Sequence, residues 1–402
     1  MTKSKQPQYR FDSFEGEWEE KKLGEISNIV RGASPRPIQD PKWFDAKSDI
    51  GWLRISDVTE QEGRITYLQQ RISELGQEKT RVLKDPHLLL SIAATVGKPV
   101  INYVKTGVHD EFLVFLDPKF NREFMFQWLD MFRPYWNKYG QPGSQVNLNS
   151  EIVRNQVINL PSLPEQEAIG ELFQTVDQLI QLQRQKLATL KEQKQTFLRK
   201  MFPAQGQKVP EIRLQGFEGE WEEKKLGEIS RMFSGGTPNV GIPEYYNGNI
   251  PFIRSAEINS DQTELSITDK GLSNSSAKLV EKNTLLYALY GATSGEVGLS
   301  RISGAINQAI LAIIPEKKYS SLFIKNWLYK QKSSIIEKYL QGGQGNLSGS
   351  IVKELTIYFP SLSEQEAIGN FFQTLDQQIS QTEEKLTELK ALKQTLLNRL
   401  FV

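Results

Sequence analysis

Between residues 162 and 202 the chain places Ile169, Phe173, Val176, Ile180, Gln183, Leu187, Leu190, Lys194, Phe197 and Met201 in alternating steps of four and three. The same spacing returns at Ile368, Phe372, Leu375, Ile379, Thr382, Leu386, Leu389, Lys393, Leu396 and Leu400. An average step of 3.5 residues held this long is a coiled-coil seam. No proline falls between Pro164 and Pro203, Gly170 is the one glycine, and Leu, Gln, Glu and Lys dominate, all good helix formers. Glu165 and Glu167 suit the first turn and Arg199 and Lys200 the last, as the helix dipole favours. Each segment is therefore predicted to be a helix of about 38 residues, roughly 57 Å long at 1.5 Å per residue. We expect the two to pair antiparallel, with a globular portion at each end and a pseudo-two-fold axis relating the halves. The seam is polar at matching layers, Gln183 with Thr382 and Lys194 with Lys393. Such residues can fix register; the lysines can instead carry their ammonium groups out to water. Both readings stand at this point.

Outside these segments the pattern shortens to β-branched and aromatic runs separated by Gly, Asn, Ser and Pro, as strands and turns require. Strands are predicted at 51–55, 88–94, 112–116, 249–254, 284–289 and 308–314, and helices at 122–138 and 320–339. Each globular portion reads as a mixed α+β unit. Strand order is not readable.

The chain is written twice. FEGEWEEKKLGEIS at 14–27 recurs unchanged at 217–230, and PSLPEQEAIGELFQTVDQ at 161–178 returns nearly intact at 360–377. The offsets of 203 and 199 residues far exceed a solenoid period of about 20–50. Between the anchors the copies diverge, keeping a thread such as Trp52-Leu53-Arg54 against Phe252-Ile253-Arg254. The boundaries follow: a variable portion at 1–160, a constant helix at 161–202, a second variable portion at 203–359 and a second constant helix at 360–402. Like scaffolds carrying unlike surfaces suggest two readers of different targets.

Composition narrows the chemistry. Cysteine is absent and His87 and His109 are the only histidines, which excludes disulfides, thiolate metal sites and cysteine nucleophiles. No apolar run approaches the roughly 20 residues that span a bilayer, and no secretory pattern opens the chain. We expect a cytoplasmic protein with no membrane contact. Phosphate-cradling and hydrolase motifs are missing. The runs Glu19-Glu20-Lys21-Lys22 and Glu222-Glu223-Lys224-Lys225 read as solvated charged turns, and Gly291-Ala292-Thr293-Ser294-Gly295 as a tight turn between strands. No catalysis, metal or cofactor is assigned to this chain.

The doubled Leu-Gly-Glu-Ile run (Leu23 to Ile26, Leu226 to Ile229), the doubled Pro-Ser-Leu-x-Glu-Gln-Glu-Ala-Ile block, and helices ending in Met201-Phe202 and Leu400-Phe401 carry a resemblance over essentially the whole chain. It resembles the specificity subunit of type I restriction–modification enzymes. The second portion is typical in Gly235-Gly236-Thr237-Pro238 and Asn307-Gln308-Ala309, whereas the first has Gly32-Ala33-Ser34-Pro35 and His109-Asp110-Glu111. The resemblance implies two target recognition domains, each reading half of a bipartite double-stranded DNA site, and constant helices that act as a spacing ruler. It also implies docking of two DNA-methyltransferase subunits that bind S-adenosylmethionine, and of restriction (motor-nuclease) subunits that use ATP and Mg²⁺.

Base reading needs polar side chains aimed from loops into the major groove. The candidates are Arg31, Ser34, Arg36, Arg54 and Gln145 in the first portion and Ser234, Thr237, Asn239, Arg254, Thr293 and Gln344 in the second. The charge balance is even: 49 basic against 48 acidic residues overall, 22 against 21 in residues 1–160. A DNA reader usually carries a basic excess, so the basic residues must cluster or partners must supply phosphate neutralisation. The other reading is a non-catalytic coiled-coil adaptor joining two protein-binding domains. It predicts the same helices but no base-specific footprint.

Overall fold

The computed structural model describes residues 6–139, 148–340 and 346–401. They form two compact units. One joins the chain up to Arg184 with the stretch from Glu384 onward, and the other is Gln185–Glu383. Each boundary falls inside a long helix, Leu163–Lys200 or Leu362–Leu400, so each unit holds the N-terminal half of one helix and the C-terminal half of the other.

The duplicated anchors build the same scaffold in both units. Glu19–Lys22 pairs antiparallel with Val157–Leu160, Glu19 opposite Leu160, and Glu222–Lys225 pairs likewise with Thr356–Phe359, Glu222 opposite Phe359. These charged runs are thus strands, not the turns expected from sequence. A two-stranded ribbon leaves their side chains in water, and lysine and glutamate two apart share a face, pairing Lys21 with Glu19 and Lys224 with Glu222. A one-turn helix follows in each copy, Leu23–Ile26 or Leu226–Ile229.

The Glu-Gln pair opening each long helix explains that block's constancy. Glu165 is 1% exposed and accepts Arg10 Nε at 2.7 Å and Nη2 at 2.8 Å. Glu364 holds Arg213 in the same fork at 2.8 and 2.7 Å. Gln166 accepts the backbone N–H of Asn121 and donates to Pro161 O; Gln365 does so with Ser320 and Pro360. The helix Arg122–Phe132, or Ser321–Leu340, crosses the long helix close to its glycine. A Cβ on Gly170 would lie 2.8 Å from Asn121 Oδ1, and one on Gly369 2.7 Å from Leu322 Cβ.

Within each unit the long-helix segments run antiparallel. In the first, Phe173 stacks on Phe401 at 5.8 Å between ring centroids, and Asp177 accepts Lys393 Nζ at 2.8 Å. In the second, Phe372 stacks on Phe202 at 6.1 Å, and Asp376 accepts Lys194 Nζ at 2.5 Å. The seam lysines therefore stay in, at 14% and 18% exposure, each held by a carboxylate from the opposing segment. Arg64 and Gln127 also reach Asp177, and Lys325 reaches Asp376. Burial disfavours ionisation of both aspartates, but these cations outweigh it and hold both carboxyls below the usual range. Of the polar layer, Thr382 is buried and donates to Gln378 O at 2.7 Å, while Gln183 is half-buried.

Ile169, Phe173, Val176, Ile180, Leu190, Ile368, Phe372, Leu375 and Leu386 are buried, and Leu187, Phe197, Ile379, Leu389 and Leu396 half-buried. Near each C-terminus burial moves one position on, to Leu198 and Leu397. There the helix end packs on the opposing helix and on the globular core together. Leu397, Leu400 and Phe401 join Trp18, Phe124 and Phe173, while Leu198, Met201 and Phe202 join Trp221, Phe323 and Phe372. Each fully buried aromatic or aliphatic side chain there contributes about 1.5–3 kcal/mol of burial.

The variable portion rises from this core as two sheets. In the first unit the order is Asn28–Arg31, Phe112–Leu116, Leu88–Ser91, Pro99–Asn102, Arg64–Ile65, beside Gly51–Leu53, Thr106–Val108, Arg81–Leu83. In the second it is Ser230–Ser234, Ile310–Pro315, Leu285–Ala288, Val297–Leu299, beside Leu265–Ile267, Tyr246–Ile253, Gly304–Ile306, Lys278–Val280. Among the described residues no helix is long and apolar enough to cross a membrane.

Candidate nucleic-acid interface

In each unit two loops meet where the two sheets join. One leaves the strand Asn28–Arg31 or Ser230–Ser234 at its C-terminal end; the other links Thr106–Val108 to Phe112–Leu116, or Gly304–Ile306 to Ile310–Pro315. Glycine lets them touch. A Cβ on Gly32 would lie 2.1 Å from His109 O, and one on Gly235 1.8 Å from Ile306 O, so no other residue fits that crossing.

The two crossings share one side-chain hydrogen bond. In the first unit Ser34 Oγ donates to Asp110 Oδ1 at 2.7 Å. In the second the hydroxyl of Thr237 donates to Gln308 Oε1. Ser34 and Thr237 are equivalent by the 203-residue offset, and the acceptors occupy matching places in the second loop. The surroundings differ. Asp110 also binds Arg36 Nη2 at 2.6 Å, its carbonyl accepts Arg31 Nε at 2.5 Å, and His109 Nδ1 lies 3.1 Å from its carboxylate. Burial raises the Asp110 carboxyl, but the Ser34 hydroxyl and the charges of His109 and Arg36 bring it below its ordinary value. Gln308 is a neutral amide with none of these charges, and it lies beside Tyr290, next to the turn 291–295. Asn239, the counterpart of Arg36, uses its Oδ1 to accept Gly241 N–H at 2.9 Å.

The fold thus brings Arg31, Ser34 and Arg36 onto one acceptor and sets Thr237 on Gln308, with Ser234 and Asn239 on the same loop. Thr293 lies in the hairpin turn between Leu285–Ala288 and Val297–Leu299, where its carbonyl accepts Glu296 N–H at 2.9 Å. Gln145 and Gln344 lie outside the described residues.

Arg54 and Arg254 are differently placed. Each follows a strand, donates its backbone N–H to the carboxylate three residues on, and grips that carboxylate with its guanidinium, Arg54 to Asp57 and Arg254 to Glu257, both at 2.9 Å. Arg254 also binds Glu264 at 2.5 Å. These hydrogen bonds raise both guanidinium pKa values. Arg254 is neutralised twice over and Arg54 once, so both chiefly brace their loops. An open cleft of about 740 Å³ beside the first cluster is lined by Phe44, Trp52, Arg54, Gln70, His109 and Glu111. Trp52 meets the His109 ring edge-on at 5.6 Å.

Asp110 and Gln308 were not among the sequence candidates, although the hydroxyl bond that closes each crossing ends on them. The signal was present: aligning the copies places His109-Asp110-Glu111 against Asn307-Gln308-Ala309. The mismatch reads as a departure until the shared hydroxyl bond shows it to be a substitution at one structural position.

The family described as "Type I restriction modification DNA specificity domain" matches residues 15–192 and 218–391. Specificity subunits of type I restriction enzymes are 27% identical over 194 residues (Methanocaldococcus jannaschii) and 28% identical over 168 residues (Escherichia coli). These alignments take in 46% and 40% of this chain and 44% and 42% of the relatives, so the chain spans less than half the length of the curated relatives it matches. In fold it is similar to the S subunit of a type I restriction–modification system from M. genitalium, with TM-score 0.68, 15% identity and 99% of both chains covered. A chain from a structure on complex assembly and conformational transition of a type I system aligns with TM-score 0.53 and 17% identity, over 96% of this chain and 97% of that one. With two matched segments covering most of its length, the chain belongs to the family of type I restriction–modification DNA specificity domains.

Proposed function

We propose that this chain is the DNA-reading subunit of a type I restriction–modification system, each unit recognising one half of a bipartite site. One observation carries the reading: the same crossing of two loops, closed by the same hydroxyl bond, is built twice with different chemistry, Ser34–Asp110–Arg36 against Thr237–Gln308–Asn239. A scaffold kept constant beneath exchanged polar tips is what reading two different sequences requires. A protein adaptor has no need of two unlike sets of base-reading side chains on matched loops.

In this reading the chain does no chemistry. Methyltransferase subunits docked on it bind S-adenosylmethionine and modify a flipped adenine, and motor-nuclease subunits use ATP and Mg²⁺. The assembly works in the cytoplasm. With charge nearly balanced, the partners supply much of the phosphate neutralisation. The test is to map methylated sites in DNA treated with the chain and its methyltransferase partner. A two-part recognition sequence is expected. Methylation without sequence preference would count against this account, whereas a salt-sensitive, nanomolar, sequence-specific complex formed by the chain alone would refute only the partners' share in phosphate neutralisation.

A further inference from the structure

Arg36 stands apart from the other arginines of the first loop cluster. Its side chain is 67% exposed, yet one nitrogen is fixed by Asp110 at 2.6 Å. Asp110 is itself held: Ser34 Oγ donates to its carboxylate and accepts its backbone N–H at 3.1 Å, and Arg31 Nε donates to its carbonyl. The carboxylate is only 23% exposed. A guanidinium carries five N–H donors in a rigid fork. Tethering one arm leaves the rest facing solvent in a set orientation. Guanine offers two adjacent acceptors, O6 and N7, in the major groove and suits that fork; adenine places a donor at N6 and does not.

A phosphate is the other anionic partner an exposed arginine could take. The local charge disfavours it. Asp110 sits against the guanidinium and Glu111 follows it, 42% exposed. Asp110 and Glu111 offset the charges of Arg31 and Arg36, so a phosphate gains little net attraction there, whereas the neutral edge of a base needs only the donors. The second unit lacks the device. Asn239 replaces Arg36, Gln308 replaces Asp110, and Arg254 is occupied by Glu257 and Glu264.

Resting on the DNA-reading function proposed above, we propose that Arg36, positioned by Asp110, reads a guanine in the first half-site, and that the second half-site has no arginine-read guanine at the corresponding position. The test uses the full chain with its methyltransferase partner and duplexes randomised over both half-sites. The unmodified complex is expected to show one strong guanine preference in the first half-site that Arg36→Ala reduces about 10- to 100-fold. Every other position, and the whole second half-site, stays unchanged and so reports intact folding. Arg36→Lys does not restore the preference, because an ammonium has no fork. Asp110→Asn keeps the Ser34 contact but weakens the preference at that same position and no other. Uniform weakening across sequences with a shallower salt dependence marks a phosphate contact and overturns the proposal, as does an Arg36→Ala profile identical to the parent. If the unmodified complex shows no sequence preference at all, the DNA-reading function itself has failed, and this assignment with it.

Discussion

The two loop clusters differ where their scaffolds do not. Beneath them, Arg10 and Arg213 grip Glu165 and Glu364 with distances matching to about 0.1 Å. At the tips, one hydroxyl bond is kept while its acceptor changes from a carboxylate gripped by arginine to a neutral amide. The kept contacts set where the loops cross. The exchanged ones set what the crossing presents. A change in the scaffold should therefore affect both units alike and cost stability, whereas a change at a tip should affect one unit and cost little.

The largest effect is expected at the buried carboxylates. Glu165→Ala and Glu364→Ala each leave a partly buried arginine with only backbone carbonyls as partners and should cost about 3 kcal/mol, read by urea unfolding followed through tryptophan fluorescence. Glu165→Ala should cost slightly more, because Trp18 Nε1 also donates to Glu165 at 3.3 Å whereas Trp221 Nε1 has no hydrogen-bond partner among the described residues. Destabilisation in one unit alone would break the symmetry claimed for the scaffold.

Gly170→Ala and Gly369→Ala come next. Each added methyl meets a crossing helix at under 3.0 Å, and overpacking of this kind costs about 1–3 kcal/mol. Thermal unfolding of each variant checks it; a neutral result at either site would mean that the crossing helix shifts freely.

Acid should act on both units through Asp177 and Asp376. Their carboxyls are depressed below the ordinary 3.8 in the folded chain. The stability they contribute is thus complete above that ordinary value and lost as pH falls through the lower folded one. Lys393→Met should flatten this acid limb for the first unit and Lys194→Met for the second, in denaturant titrations between pH 5 and about pH 2. An unchanged acid limb in both would show that the cross-helix pairs contribute nothing.

The smallest stability effect belongs to the tip. Thr237→Val removes the bond to Gln308 and should cost no more than about 1 kcal/mol. It should nevertheless alter recognition of the second half-site and leave the first untouched, which selection from randomised duplexes would reveal.

Much of this was legible in the sequence because it rests on period and repetition. Long helices declare themselves through a spacing kept over many turns, and the duplicated blocks mark the scaffold. Three features were not. The Arg10–Glu165 and Arg213–Glu364 pairs span 155 and 151 residues, and Arg10 lies in a stretch with little other likeness to its copy. The shift of burial to Leu198 and Leu397 arises because each helix end packs on a globular core as well as on its partner helix. Glu19–Lys22 and Glu222–Lys225 carry no apolar residue, so nothing local identifies them as strands; only pairing with Val157–Leu160 and Thr356–Phe359 does. For the site, Ser34, Arg36 and Thr237 were visible as loop polar residues, and the mismatch at Asp110 and Gln308 was visible too, but only strand order decides which loops meet and so which residues are their acceptors.

The most direct measurement exchanges residues 20–160 for the corresponding portion of another family member and maps methylated sites made by the full chain with its methyltransferase partner. One half of the recognition sequence should change while the other persists base for base. Loss of both halves together, or persistence of both, would contradict the assignment of one reader to each unit.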